Sequence, residues 1–195
     1  MAGQTTGPPS QFPSSAGSSA RPPGPYVMST SVPGTGSRYN GLAMASRHKA
    51  RQAVLQILYQ AEVGRQRVEE VVARYAEGWT PPEDGPPEPW GEDDWRFLVR
   101  LSRGAWESRQ EADALIERYA EGWSVDRLAR VDLCILRMAI HELLHFDTPP
   151  SVVINEAVEL AKRYSTEDSG RFVNGILGRV YREVVVPRAQ TAGPL

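Results

Sequence analysis

Cysteine is almost missing from this chain: Cys134 is the only one in 195 residues. No intrachain disulfide can form, and a zinc site built on cysteines is excluded. A single thiol suits a reducing cytoplasm. Long apolar runs are missing as well. None approaches the roughly 18 residues of a membrane-spanning helix, and the N-terminus lacks the apolar stretch of a signal peptide. There is little surplus charge, since the formal net charge is −2, so the total does not mark a nucleic-acid binder. No window sustains apolar–polar alternation, which leaves no half-buried strand to place. With 24% charged and 41% hydrophobic residues, there is enough apolar surface to core one soluble globular domain or two small ones.

Residues 1–45 are rich in Ser, Gly and Pro and contain Arg21 and Arg38 but no acid. Such a segment cannot bury enough surface to offset its ordering entropy, and disorder is expected there. Met44 stands just before "ASRHKARQAVLQILY", so translation is expected to start at Met44. A native N-terminal peptide covering Met1–Arg21 contradicts that expectation.

From Ser46 the pattern is helical. The first helix is predicted over about 46–63, with Ser46 as N-cap, Gly64 as stop and the stripe Ala50, Val54, Ile57, Leu58 and Ala61 facing inward. A second spans about 68–77. The prolines of "TPPEDGPPEPWG" then forbid helix. A long helical pattern over about 92–121 has a break near Gly104 or Ser108. Further helices are predicted over about 131–146, 152–164 and 169–185, followed by a disordered tail at 187–195. The fold class is all-α, a bundle of six or seven helices. "RYAEGW" occurs at 74–79 and again at 118–123. Both copies are helix ends with Gly at the stop position, so shared C-cap chemistry explains them better than a structural repeat.

Within "ILRMAIHELLHFDTPP", His141, Glu142 and His145 match the H-E-x-x-H pattern. Two histidines one turn apart can share a zinc ion whose bound water the glutamate activates. A third ligand would have to come from Glu156, Glu159 or Glu167, because His48 is the only other histidine. Helical geometry places His141 and His145 opposite Leu136 and Leu143, on a surface or a second interface. The competing reading is a helix whose outer face carries two histidines.

Two other stretches are polar in a more useful way. "SRHKAR" puts Arg47, His48, Lys49 and Arg51 at the start of the first helix. Cations there oppose the helix dipole, and together with free N–H groups they make an anion site. "STEDSGRFVNG" offers Arg171 beside Phe172, a pair suited to phosphate contact and base stacking on single-stranded RNA. The competing readings are a solvated basic helix end, and N-capping by Thr166 or Asp168 with Phe172 in the core.

The stretches "SRHKARQAVLQILYQAE" and "LARVDLCILRMAIHELLHFDTPPSVVINEAVELAKRYSTEDSGRFVNGILGRV" resemble the NusB family of bacterial transcription antitermination factors. The most specific parts are "VINEAVELAK" and "EDSGRFVNGIL". The resemblance implies two small helical subdomains, about 46–122 and 123–186. It implies binding of boxA-type single-stranded RNA together with ribosomal protein NusE, within the RNA polymerase antitermination complex, and read-through in ribosomal RNA operons. It implies no catalysis and no cofactor. By position it assigns RNA contact to Arg47, His48, Lys49, Arg51, Tyr59, Asp168, Arg171 and Phe172. Asp132, and Glu142 as a structural or partner-facing residue, are placed at the NusE side. The family usually has an aromatic residue where His141 stands, so Glu142-Leu143 belongs to the family frame. The alternatives are a detached adaptor domain of the kind fused to RNA methyltransferases, and a zinc hydrolase using His141, Glu142 and His145.

Overall fold

A computed structural model describes residues 39–78 and 90–191, with side chains from Ser46 onward. The segment 1–38, the Pro-rich loop at 79–89 and the last residues, 192–195, lie outside the described residues. Every regular element among the described residues is helical: α1 Tyr39–Gly64, α2 Val68–Ala76, α3 Glu92–Glu107, α4 Arg109–Tyr119, α5 Arg130–His145, α6 Pro150–Tyr164, α7 Glu167–Val180 and the short α8 Val186–Thr191. A single 3-10 turn at Val125–Arg127 leads into α5. The all-α bundle expected from the sequence is what forms.

The bundle is built around α5. Every residue from Asp132 to Leu143 is buried, and α1, α3, α4, α6 and α7 all pack against this helix. A helix apolar on most faces belongs in the middle of a bundle. Leu133, Ile135, Leu136 and Ile140 form one continuous core with Val54, Ile57, Leu98, Leu101, Ile116, Leu160 and Leu177.

The helix boundaries depart from expectation at instructive places. α1 begins at Tyr39 rather than Ser46, since "LAMA" continues the helix-forming composition upstream. Ser46 is therefore no N-cap; its hydroxyl donates to Asp94 Oδ2 at 2.6 Å and ties α1 to α3. The helix expected over 92–121 breaks at Ser108, whose hydroxyl and amide both donate to the Gly104 carbonyl. Gly78 and Gly122 both have left-handed backbone, with φ of 84° and 78°. The two "RYAEGW" copies thus share a helix-stop geometry that favours glycine. At the C-terminal end, α7 passes into a π-helical turn, Tyr181–Val185, before α8. Pro187 has no N–H to donate back along the chain, and a widened turn before it fits that loss.

Candidate nucleic-acid interface

A groove of about 810 Å³ opens between α1, α3 and the junction of α5 with α6. Four arginines line it: Arg47 and Arg51 from α1, Arg96 and Arg100 from α3. Two phenylalanines stand with them. The Arg47 guanidinium carbon lies 4.4 Å over the Phe97 ring, and that of Arg100 lies 4.2 Å over Phe146. The two rings meet edge-on at 5.5 Å. Placing a cation over an aromatic face lowers the energy of both by about 0.5–1 kcal/mol at exposed sites.

The arginines differ in how they are neutralised. Arg47 Nε pairs with Asp94 at 3.2 Å, and exposed Arg96 pairs with Glu92 and Asp93 in its own helix. Arg51 is only 4% exposed and holds Glu142, itself 1% exposed, through two hydrogen bonds of 2.9 and 2.6 Å. Arg100 donates to the His145 carbonyl at 2.7 Å and makes no ion pair among the described residues.

These positions correct part of the reading from sequence. Arg47, His48, Lys49 and Arg51 do not surround free helix N–H groups, because α1 starts about two turns earlier. Arg51 is not an exposed phosphate contact; its charge is spent on tying α1 to α5. Glu142 is for the same reason not partner-facing. Asp132 is buried as well, and its Oδ2 accepts from the Ser169 hydroxyl at 2.8 Å. It joins the start of α5 to the start of α7 and presents little surface to a partner. His48 sits between Glu156, 2.8 Å from Nδ1, and Gln52, 3.0 Å from Nε2. A neutral ring with its proton on Nδ1 satisfies both. Lys49 is exposed, as is Tyr59 at 39%.

The second predicted patch forms a separate, smaller groove of about 240 Å³. Exposed Arg171 and half-buried Phe172 line it with Trp123, Arg179 and Gly175. Trp123 is 51% exposed, with the Arg127 guanidinium 5.5 Å above it. Asp168 is exposed in the first turn of α7. The N-cap of that helix is Thr166, whose hydroxyl accepts from the Ser169 amide while Ser169 reciprocates. The two grooves share no lining residue.

The H-E-x-x-H residues form no zinc-binding arrangement. Glu142 faces Arg51, with its carboxylate fully engaged. His141 is 8% exposed rather than on an outer face, because α3 and α4 cover it. Its Nδ1 lies 2.7 Å from the Ser108 hydroxyl, and its ring fills the space where a Gly104 side chain would stand. Burial, with help from His145 and Arg100 and against Glu111, pushes its pKa down to about 4. No cluster of His, Cys, Asp and Glu with metal-binding geometry occurs among the described residues. Burial likewise pushes the Cys134 thiol up to about 12, which keeps it protonated and unreactive.

The sequence model of the NusB family matches residues 48–182. The chain belongs to the NusB family. Transcription antitermination protein NusB of Symbiobacterium thermophilum is 50% identical over 138 residues, spanning 70% of this chain and 90% of that protein. NusB of Roseiflexus castenholzii is 46% identical over 147 residues, covering 72% of this chain and 97% of its own. Among solved structures, T. maritima NusB is similar with a TM-score of 0.63 and 38% identity, over 75% of this chain and 97% of that one. A crystal structure of antitermination factors NusB and NusE in complex with double-stranded RNA matches with a TM-score of 0.60 and 28% identity, over 71% and 98%. This family is one of transcription antitermination factors. No helix among the described residues is long and apolar enough to cross a membrane.

Sequence reasoning missed Arg96, Phe97, Arg100 and Phe146 on the first groove, and Trp123 and Arg179 on the second. Phe97 and Arg100 are three apart in α3 and so share a face, but nothing in the sequence sets that face beside α1. Phe146 follows α5 directly and reads as its last core residue.

Proposed function

We propose that this chain acts as an antitermination factor that binds boxA-type single-stranded RNA jointly with a NusE-type ribosomal protein. In that role it joins the RNA polymerase antitermination complex in the cytoplasm and promotes read-through in ribosomal RNA operons. It works by binding, with no catalytic step and no cofactor. The observation that carries the reading is the arginine-lined groove with guanidinium groups over its two phenylalanines, on a domain whose formal charge is otherwise slightly acidic. A NusB relative solved with NusE and double-stranded RNA supports a NusE-type partner and RNA binding here.

In this reading Arg47 and Lys49 on α1 meet phosphates. Arg171 and Phe172 extend the contact along a second groove, with Asp168 and Tyr59 as further exposed contacts. Arg51, Asp132 and Glu142 act indirectly, by fixing α1, α5 and α7 relative to one another. Two modest basic patches give weak, salt-sensitive RNA binding, because each neutralised phosphate releases counterions. A protein partner with its own RNA contacts makes the site bivalent and raises affinity.

The test is titration of a boxA-type RNA and a scrambled RNA of equal length against the full chain, with and without the NusE-type protein. Tighter binding of boxA RNA, further strengthened by the partner, is expected. Equal binding of both RNAs in the presence of the partner contradicts the proposal.

A further inference from the structure

The first groove contains more than a basic surface requires. Phosphate attraction alone needs charge, and exposed lysines would serve. Here two guanidinium groups are held over aromatic faces, Arg47 over Phe97 and Arg100 over Phe146, at 4.4 and 4.2 Å. The rings touch each other at 5.5 Å, so the two stacks form adjoining walls of one cavity. Its volume of about 810 Å³ lies within the roughly 300–1,000 Å³ range of small-molecule pockets.

The pattern of neutralisation adds a second, independent sign. Arg51 and Arg47 are bound to carboxylates of other helices. Arg100 has only the neutral His145 carbonyl for a hydrogen bond, so its positive charge is uncompensated by any ion pair among the described residues. Arg96 stands on the rim, with its acids exposed beside it. Such exposed pairs contribute little in water and exchange readily for a phosphate.

We propose that this groove is a subsite for one unstacked nucleotide of a bound RNA single strand, its base lying on the Arg100–Phe146 stack and its phosphate at Arg96. The proposal rests on the reading that the chain binds RNA, and adds to it the place where a base is held. Flat guanidinium planes and aromatic faces are the surfaces on which splayed RNA bases stack. An acidic peptide would satisfy the charges but leave the planes uncovered, whereas a nucleotide uses both. Such a base contact is worth roughly 5- to 150-fold in affinity, the equivalent of about 1–3 kcal/mol.

The experiment is an abasic walk. A boxA-type RNA is made with the base removed at one position at a time. Each version is titrated against the full chain with its NusE-type partner, using wild-type protein, Arg100→Ala and Arg100→Lys. The lysine variant keeps the charge and loses the plane. In the wild type, one position is expected to lose affinity about 10-fold or more when its base is removed. Both variants are expected to bind the intact RNA correspondingly weaker and to be insensitive at that position alone, with other positions unchanged. Arg96→Gln is expected to weaken all versions equally and to lower the salt slope by about one.

If Arg100→Lys binds intact RNA like wild type, or both variants weaken every version uniformly, Arg100 serves only as a charge and the proposal is overturned. If wild-type protein with its partner does not prefer boxA over scrambled RNA, the functional reading itself fails, and this subsite with it.

Discussion

Glu142 reads in the sequence as a structural or partner-facing residue, and it is one of the most buried groups in the molecule. Its carboxylate lies against the Arg51 guanidinium with both charges removed from water. Removing one member of such a pair strands the other, at a cost of about 3–5 kcal/mol. Glu142→Gln is expected to lose about that much stability in urea unfolding, while the double change Arg51→Met, Glu142→Leu recovers most of it. His141 makes a second residue-level case. Unfolded, it titrates near 6.5, and folded its pKa is pushed down to about 4. The unfolded chain therefore binds the proton more readily within that window. The stabilisation is fully present above about pH 6.5 and is lost as the pH falls toward 4. About 2 kcal/mol is expected to disappear between pH 7 and pH 5, and His141→Phe is expected to flatten that part of the profile. A structural role for Glu142 was one of the readings the sequence offered, but its partner was not legible, nor was the burial of His141. The spacing of H-E-x-x-H shows which residues share a helix face, but not that α3 and α4 cover His141 while His145 stays exposed, or that α1 brings an arginine to the glutamate.

Helices were more legible than residues, because their signals are local. The apolar stripe of α1, the glycines after α2 and α4 and the Pro149-Pro150 pair at the start of α6 all act within a few residues. The start of α1 was misjudged because Ser46, a good N-cap residue, found a partner in Asp94 on another helix. The anion site expected at a helix N-terminus disappeared with that correction, and the groove between three elements took its place. The capping chemistry before α7 did form, though at Thr166 rather than Asp168. Thr166→Ala removes the acceptor for the Ser169 amide and is expected to cost about 1 kcal/mol. Thermal unfolding reads that loss, and RNA affinity at temperatures well below the transition is expected to stay unchanged.

For the whole molecule, the all-α class followed from periodicity, while the binding surface did not. Arg47 and Lys49 were identifiable as a basic cluster, yet the groove that Arg47 lines is completed by Arg100 on α3 and Phe146 after α5, distant in sequence. A formal charge of −2 hides this asymmetry, since the acids that pair within the bundle offset the arginines in any sum. The account rests on RNA phosphates meeting the basic face of α1. That claim is tested most directly by the salt dependence of boxA-type RNA binding, measured with the NusE-type partner for wild type and for Arg47→Glu, Lys49→Glu. Circular dichroism confirms that the variant is folded. The double charge reversal is expected to weaken binding at low salt and to reduce the slope of log affinity against log salt by about two. An unchanged affinity and slope in the folded variant would contradict the account.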